Sequence, residues 1–410
     1  PYPPASGGML PAVYYVLTMV VGLIGIGLLW LAWKKKLSRE VVFGLLFFAV
    51  GIAMYTHFVN IKGVVVVADR YSYLSYIGLG FLAAWGFEHF VNKAGRPMRH
   101  VRTATFLAIF VLLSFSGLSF QRSFVWKDSF TLFGDVLQKD PTVSYAHNNI
   151  GIAKKDLGDL QGAKAAFTEA LKLDPTSAVY YNNRGTVEAM MTDYSAALAD
   201  FDRAIAIRPN YDEALFNRAK VRKSLGDNNG ALADLDRALA VRKVFPYAYL
   251  ERAQERWRRG DAQGALSDCL QALKGKPAFP EVFYLSGNIK KETGDMSGAI
   301  YDYTKVLKFQ PEHYEALNNR AYCYNMSGQF QQALQDLDYA LQLKKDFAEA
   351  RNNRGISLAN LQNVKAAMAD FDEAIRLQPD YVDALINRGN ARGVLGDFEG
   401  SVRDFNAVLA

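Results

Sequence analysis

Residues 209–242 read PNYDEALFNRAKVRKSLGDNNGALADLDRALAVR. Pro209 opens the stretch, the pair Gly226–Asp227 divides it, and two small residues, Ala219 and Ala231, sit twelve positions apart across that division. The pattern returns every 34 residues, from starts at 141, 175, 209, 243, 277, 311, 345 and 379, with the last unit cut at 32 residues. Lys243 and Lys345 replace the opening proline twice. Proline stops a helix and glycine readily adopts the left-handed turn conformation, so each unit predicts two helices joined by a short turn. The first small position is Gly or Ala in all eight units, from Gly151 to Gly389; the second is Ala in seven and Ser401 in the eighth. Side chains this small let two helices approach closely. Four residues beyond the second comes a larger one (Phe167, Phe201, Leu235, Cys269, Tyr303, Leu337, Phe371 and Phe405), expected to fill the space between neighbouring units.

This period resembles the tetratricopeptide repeat, a helix–turn–helix unit that stacks into a right-handed superhelix. The expected fold is all-α, with an α-solenoid of eight units over residues 141–410, the last incomplete, preceded by a junction helix within 122–140. The pattern runs to Ala410 without a solvating cap and the chain starts at Pro1, so truncation is expected.

Asn149, Asn183, Asn217, Asn319, Asn353 and Asn387 occupy one equivalent position of the first helix, and Glu251 and Leu285 break the row in units four and five. First helices line the concave side of such a superhelix. An amide carries both donors and an acceptor, so the row either grips an extended peptide backbone or bonds between adjacent units. Arginines follow at the next position, from Arg184 to Arg388, beside carboxylates of the second helices from Asp200 to Asp404; inter-helix ion pairs are expected. In RAQERWRRG, residues 252–260, solvation around one packing tryptophan, Trp257, is expected, with a partner site as the alternative. Cys269 and Cys323 fall at helix-packing positions with no CxxC and no His/Cys cluster, which predicts small buried hydrophobes and no metal site.

The N-terminal part is different. The first 33 residues carry no charge, and apolar runs at 10–33, 41–61, 71–90 and 103–121 each approach the ~20 residues that cross a bilayer core. Residues 1–121 therefore predict a membrane domain of four transmembrane helices. Residues 1–126 hold 11 Lys+Arg against 3 Asp+Glu, and residues 127–410 hold 36 against 38. The overall charge of +6 thus belongs to the apolar part and does not indicate nucleic-acid binding. Lys34, Lys35, Lys36 and Arg39 follow the first run; Lys93, Arg96, Arg99 and Arg102 follow the third. Positive loops stay cytoplasmic, which puts residues 64–70 and the repeats on the extracytoplasmic side, in a periplasm or an endoplasmic reticulum lumen.

ADRYSYLSYIGLG, residues 68–80, closely resembles a segment of the transmembrane and tetratricopeptide-repeat O-mannosyltransferase family and its bacterial relatives, with Ser75 where the family often has proline. PYPP at the start and VWKDSFTLFGDVLQKDPTVSYAHNNIG at residues 125–151 are similar to other parts of those proteins. The resemblance implies transfer of a sugar from a polyprenyl phosphate to a protein hydroxyl. That chemistry needs a general-base carboxylate from an early acidic pair, and the membrane part offers only Glu40, Asp69 and Glu88, so this chain alone is expected to be inactive, with no catalytic residue and no cofactor. Arg70 is a candidate for binding a lipid-carrier phosphate, with Asp69 positioning it and Tyr71 and Tyr73 assisting; a structural ion pair flanked by interfacial tyrosines is the alternative. Two functional readings follow. One is a membrane-anchored scaffold that binds a peptide or partner protein. The other is the acceptor-recruiting C-terminal portion of a membrane glycosyltransferase.

Overall fold

A computed structural model describes residues 30, 34, 41–45, 80–89, 92, 97–123, 125 and 127–409. The chain divides into two compact units, residues 1–175 and 176–410.

In the first, residues 41–45 and 80–89 are helical, and the helices Met98–Ser123, Ser129–Lys139, Ser144–Asp156 and Leu160–Leu173 follow. Phe106, Leu107, Phe110 and Leu113 of the long helix are exposed. Of the expected crossings, 10–33 lies outside the described residues apart from Trp30, and those at 41–61 and 71–90 are described only in part. Among the described residues no helix is long and apolar enough to cross a membrane, so the crossing expected at 103–121 finds no support in the helix Met98–Ser123. The junction helix Ser129–Lys139 begins on a capping box, in which Asp128 accepts from the Thr131 N–H at 2.8 Å and the Thr131 hydroxyl accepts from the Asp128 N–H at 3.2 Å. Phe133 and Val136 then pack with Val143 and Ala146 of the next helix.

Residues 176–410 form seven helix pairs. The first helices, called A, are Ala178–Met190, Asp212–Ser224, Pro246–Arg258, Pro280–Glu292, Tyr314–Met326, Ala348–Asn360 and Val382–Val394. The second helices, called B, are Tyr194–Ile207, Asn228–Val241, Ala262–Gly275, Met296–Phe309, Phe330–Leu343, Val364–Leu377 and Phe398–Leu409. The Gly–Asp pair of the repeat makes the turn between them. Gly226 takes φ 82, which ends the A helix without strain on a side chain. Asp227 then caps the B helix by accepting from the Gly230 N–H at 2.9 Å. Thr192 and Gln362 occupy the same left-handed position at φ 62 and φ 63.

The small positions do what the sequence requires of them. A Cβ on Gly355 would lie 2.5 Å from the Phe371 ring, too close to fit without displacement. Phe201, Leu337 and Phe371 are fully buried or nearly so, while Phe405 in the last helix keeps 37% exposure. Cys269 and Cys323 are free, buried thiols, as their register predicts. Most consecutive A helices approach one another closely, Asp212–Ser224 and Pro246–Arg258 being the exception, and consecutive B helices do not. The A helices therefore line the inner side of this unit.

Candidate functional site

The arginine row is spent on structure. Arg218 meets Asp234 of its own B helix through two bonds, Nε donating at 2.8 Å and Nη2 at 2.6 Å. Its Nη1 donates to Asp202 of the preceding B helix at 2.6 Å, so one guanidinium ties two repeats. Burial alone would lower the Arg218 pKa, but Asp234 and Asp202 outweigh it and hold the guanidinium charged. Arg252, Arg354 and Arg388 repeat the arrangement. These are the expected inter-helix ion pairs, but the carboxylates are more buried than a solvated charge row would be: Asp234 is 1% exposed.

The asparagine row is also largely committed. Asn217, Asn353 and Asn387 each donate Nδ2 to an asparagine of the preceding A helix, Asn182, Asn318 and Asn352, at 3.0, 2.9 and 2.9 Å. Asn319 donates to Asn288 at 3.1 Å, and Asn149 to the Tyr145 carbonyl at 2.7 Å. Asn183, half-buried on the A helix Ala178–Met190, shares the register. In Asn217, Asn353 and Asn387, among the described residues, only the carbonyl oxygen is left without a partner. Asp69, Arg70, Tyr71 and Tyr73 lie outside the described residues. Among those described, no His, Cys, Asp and Glu cluster could hold a metal ion.

What the row does not show is a groove at its break. A cavity of about 730 Å³ opens on the A helices of units three to five, closed on one side by Gln310 and His313 at the entry to unit six. Trp257, Tyr284, Leu285 and Pro280 give it an apolar lining; Gln254, Asn288, Glu281 and Glu292 supply polar groups. Leu285 stands where six other units have asparagine, and Ser286 follows it where five of those six have arginine. Ser286 compensates by donating its hydroxyl to Asp302 at 2.6 Å, with Lys290 adding a second bond at 2.7 Å. The structural role of the arginine is thus retained in unit five while its side-chain volume is removed.

Trp257 Nε1 donates to Glu292 at 3.2 Å, and the Tyr284 and His313 rings lie 4.8 Å apart. Lys223 binds Glu251 at 2.7 Å and Gln254 Oε1 at 2.8 Å. Glu255 is held by Arg258 and Arg259; burial alone would raise its pKa, and the two guanidiniums reverse that and lower it. Burial also raises the Tyr284 phenol. Trp257 packs on the core, as the packing reading of the basic segment expects, and also lines the groove. The departures Glu251, Leu285, Ser286 and His313 from the repeat were the sequence signal for this site.

Family models described as tetratricopeptide repeat match residues 144–177, 216–280, 302–335 and 326–382. The matched helix pairs are tetratricopeptide repeats, and the C-terminal region is an all-α solenoid of such pairs. Similar solved structures include YrrB, described as a repeat protein with an unusual peptide-binding site, at 23% identity over 45% of this chain and 95% of that one, TM-score 0.43. A tetratricopeptide repeat protein from Parabacteroides merdae matches at 18% identity over 60% and 98%, TM-score 0.42. PilF of Pseudomonas aeruginosa matches at 16% identity over 50% and 94%, TM-score 0.45. No curated protein matches the chain.

Proposed function

We propose that this chain is a membrane-anchored scaffold whose repeats capture a peptide or a segment of a partner protein in the groove formed at units three to six. One observation carries the reading: the 730 Å³ groove lies on the inner A helices, lined by aromatic side chains, where the asparagine and arginine rows break. A surface of concave shape, apolar lining and few polar groups is the usual form of a binding site. Gln254 Nε2 and the Gln310 side-chain amide have no hydrogen-bond partner among the described residues and are free to meet peptide carbonyls. The open carbonyls of Asn217, Asn353 and Asn387 extend the row with acceptors for peptide N–H groups.

The anchor belongs to the same proposal through the uncharged runs and the two basic loops, which set the repeats on the extracytoplasmic side. The exposed Phe106, Leu107, Phe110 and Leu113 suit apolar surroundings. The resemblance to the O-mannosyltransferase family extends it: the groove would bring an acceptor protein to a polyprenyl-phosphate-sugar-dependent transferase. A photo-crosslinking residue at Gln254 or Gln310 should give discrete protein adducts in the native membrane, and one at Tyr301, exposed on the outer B helix, should not. Equal labelling from all three positions, or none from the groove, would overturn the reading.

A further inference from the structure

The charges of this groove point to the chemistry of its occupant. We infer that it takes an extended peptide in which two basic side chains bracket an apolar one; the inference deepens the capture reading and rests on it.

Glu281, Tyr284, Leu285, Asn288 and Glu292 all line the groove from one A helix. Their spacing puts them on one stripe, since residues three, four, seven and eleven apart share a helical face. Eleven residues place Glu281 and Glu292 about 16 Å apart along the axis. A carboxylate thus stands at each end of the stripe, with an aromatic, an apolar and an amide group between.

The cations on the lining are already neutralised. Lys223 pairs with Glu251 at 2.7 Å, and Arg258 with Glu255 at 2.8 Å. Neither Glu281 nor Glu292 has an ion-pair partner among the described residues; the one hydrogen bond to the Glu292 carboxylate comes from the uncharged Trp257 indole. Glu315 adds a further carboxylate beside His313, at 3.2 Å from Nδ1. Lys291, next to Glu292 in sequence, is turned to Asn319 at 3.3 Å and to the Tyr322 ring.

A second, independent departure falls at the same place. At the four junctions from 208 to 347 other than this one, a cation of the chain lies over the aromatic three residues on: Arg208 over Tyr211 at 5.0 Å, Arg242 over Phe245 at 4.6 Å, Lys276 over Phe279 at 4.1 Å, and Lys344 over Phe347 at 4.9 Å. At the groove the equivalent pair is Gln310 and His313, and among the described residues no cation lies over the His313 ring. Ring faces attract cations, and here that role falls to the occupant.

The reach then sets the spacing. A strand advances about 3.3 Å per residue, so about five residues span the stretch from Glu281 to Glu292. A Lys or Arg at each end meets a carboxylate, and an apolar side chain between them meets Trp257 and Leu285. The backbone carbonyls face Gln254 Nε2 and the Gln310 side-chain amide.

The test presents a degenerate nonapeptide library to the immobilised full chain in detergent, with retained peptides read by mass spectrometry. The expected result is enrichment of Lys or Arg at two positions four or five apart with an apolar residue between. Glu281→Gln with Glu292→Gln, both exposed and so harmless to folding, should abolish that basic preference and weaken a selected peptide about 2- to 30-fold. Raising the salt should weaken the parent's binding of that peptide and leave the variant's nearly unchanged. Retention without basic enrichment, or enrichment the double variant keeps, overturns the inference and leaves the groove as a capture site. Retention no greater than by Trp257→Ala overturns the capture reading as well, and with it the inference.

Discussion

Removing Asp234 should loosen the packing of the two helices of the third repeat far more than removing Asp202 loosens its tie to the second, although both bind the same arginine. Asp234 accepts three charge-assisted bonds, two from Arg218 and one from Arg222 Nη1 at 2.8 Å, and its side chain is 1% exposed. Asp202 accepts one bond, and its side chain is 58% exposed. Asp234→Ala leaves a buried guanidinium short of its main partner, at a cost of about 3–5 kcal/mol. Asp202→Ala breaks a pair with one end in water, worth about 0–1 kcal/mol. In a solenoid the loss stays close to the broken contact, so hydrogen exchange read peptide by peptide suits it better than a global melt. Amides of residues 212–241 should exchange about 10²–10³ times faster in Asp234→Ala, since each 1.4 kcal/mol is a factor of ten. Arg218→Met with Asp234→Leu should recover most of the protection, because apolar groups of similar volume replace a buried pair at little cost. Equal effects of the two alanine variants, or a double variant no better than Asp234→Ala, would refute the reasoning.

Gln362→Gly and Thr192→Gly should each stabilise by about 0.5–1 kcal/mol, because a left-handed turn strains a side chain and not glycine; urea titration would detect it, and no gain would mean the turns are already relaxed. Burial raises the Cys323 thiol to about 11 and the Cys269 thiol to about 12, whereas an unfolded thiol titrates near about 8.5. The folded thiols keep their protons after the unfolded ones lose them, so this stability is whole below about pH 8.5 and is lost toward pH 11–12, by up to about 1.4 kcal/mol per thiol per unit. Melts between pH 8 and 10 should show that slope, flattened in Cys269→Ala with Cys323→Ala. Detergent-purified protein is expected to carry a polyprenyl phosphate that Arg70→Ala loses; equal retention in mass spectra would reduce Asp69–Arg70 to a structural pair.

The amino-acid sequence by itself determined the repeat. A 34-residue period, small residues twelve apart, and a Gly–Asp turn are local requirements of two helices packing, so Gly355, Phe371 and the turn at Gly226 follow from spacing alone, whereas the cap that Asp227 makes came from the structure. The arginine and aspartate rows were legible for the same reason, since sixteen residues across one turn place them side by side. What only the tertiary structure decided was the use of the side chains between units. The amide of Asn217 could have faced a ligand; contact with Asn182, thirty-five residues away, depends on how one A helix is set against the next. The groove was hidden for that reason too. Trp257 and Glu292 are also thirty-five residues apart, and Tyr284 meets His313 from a different repeat. Periodicity describes what each unit repeats, whereas this site is made of what units four to six do not repeat, brought together by the angle between neighbouring helices.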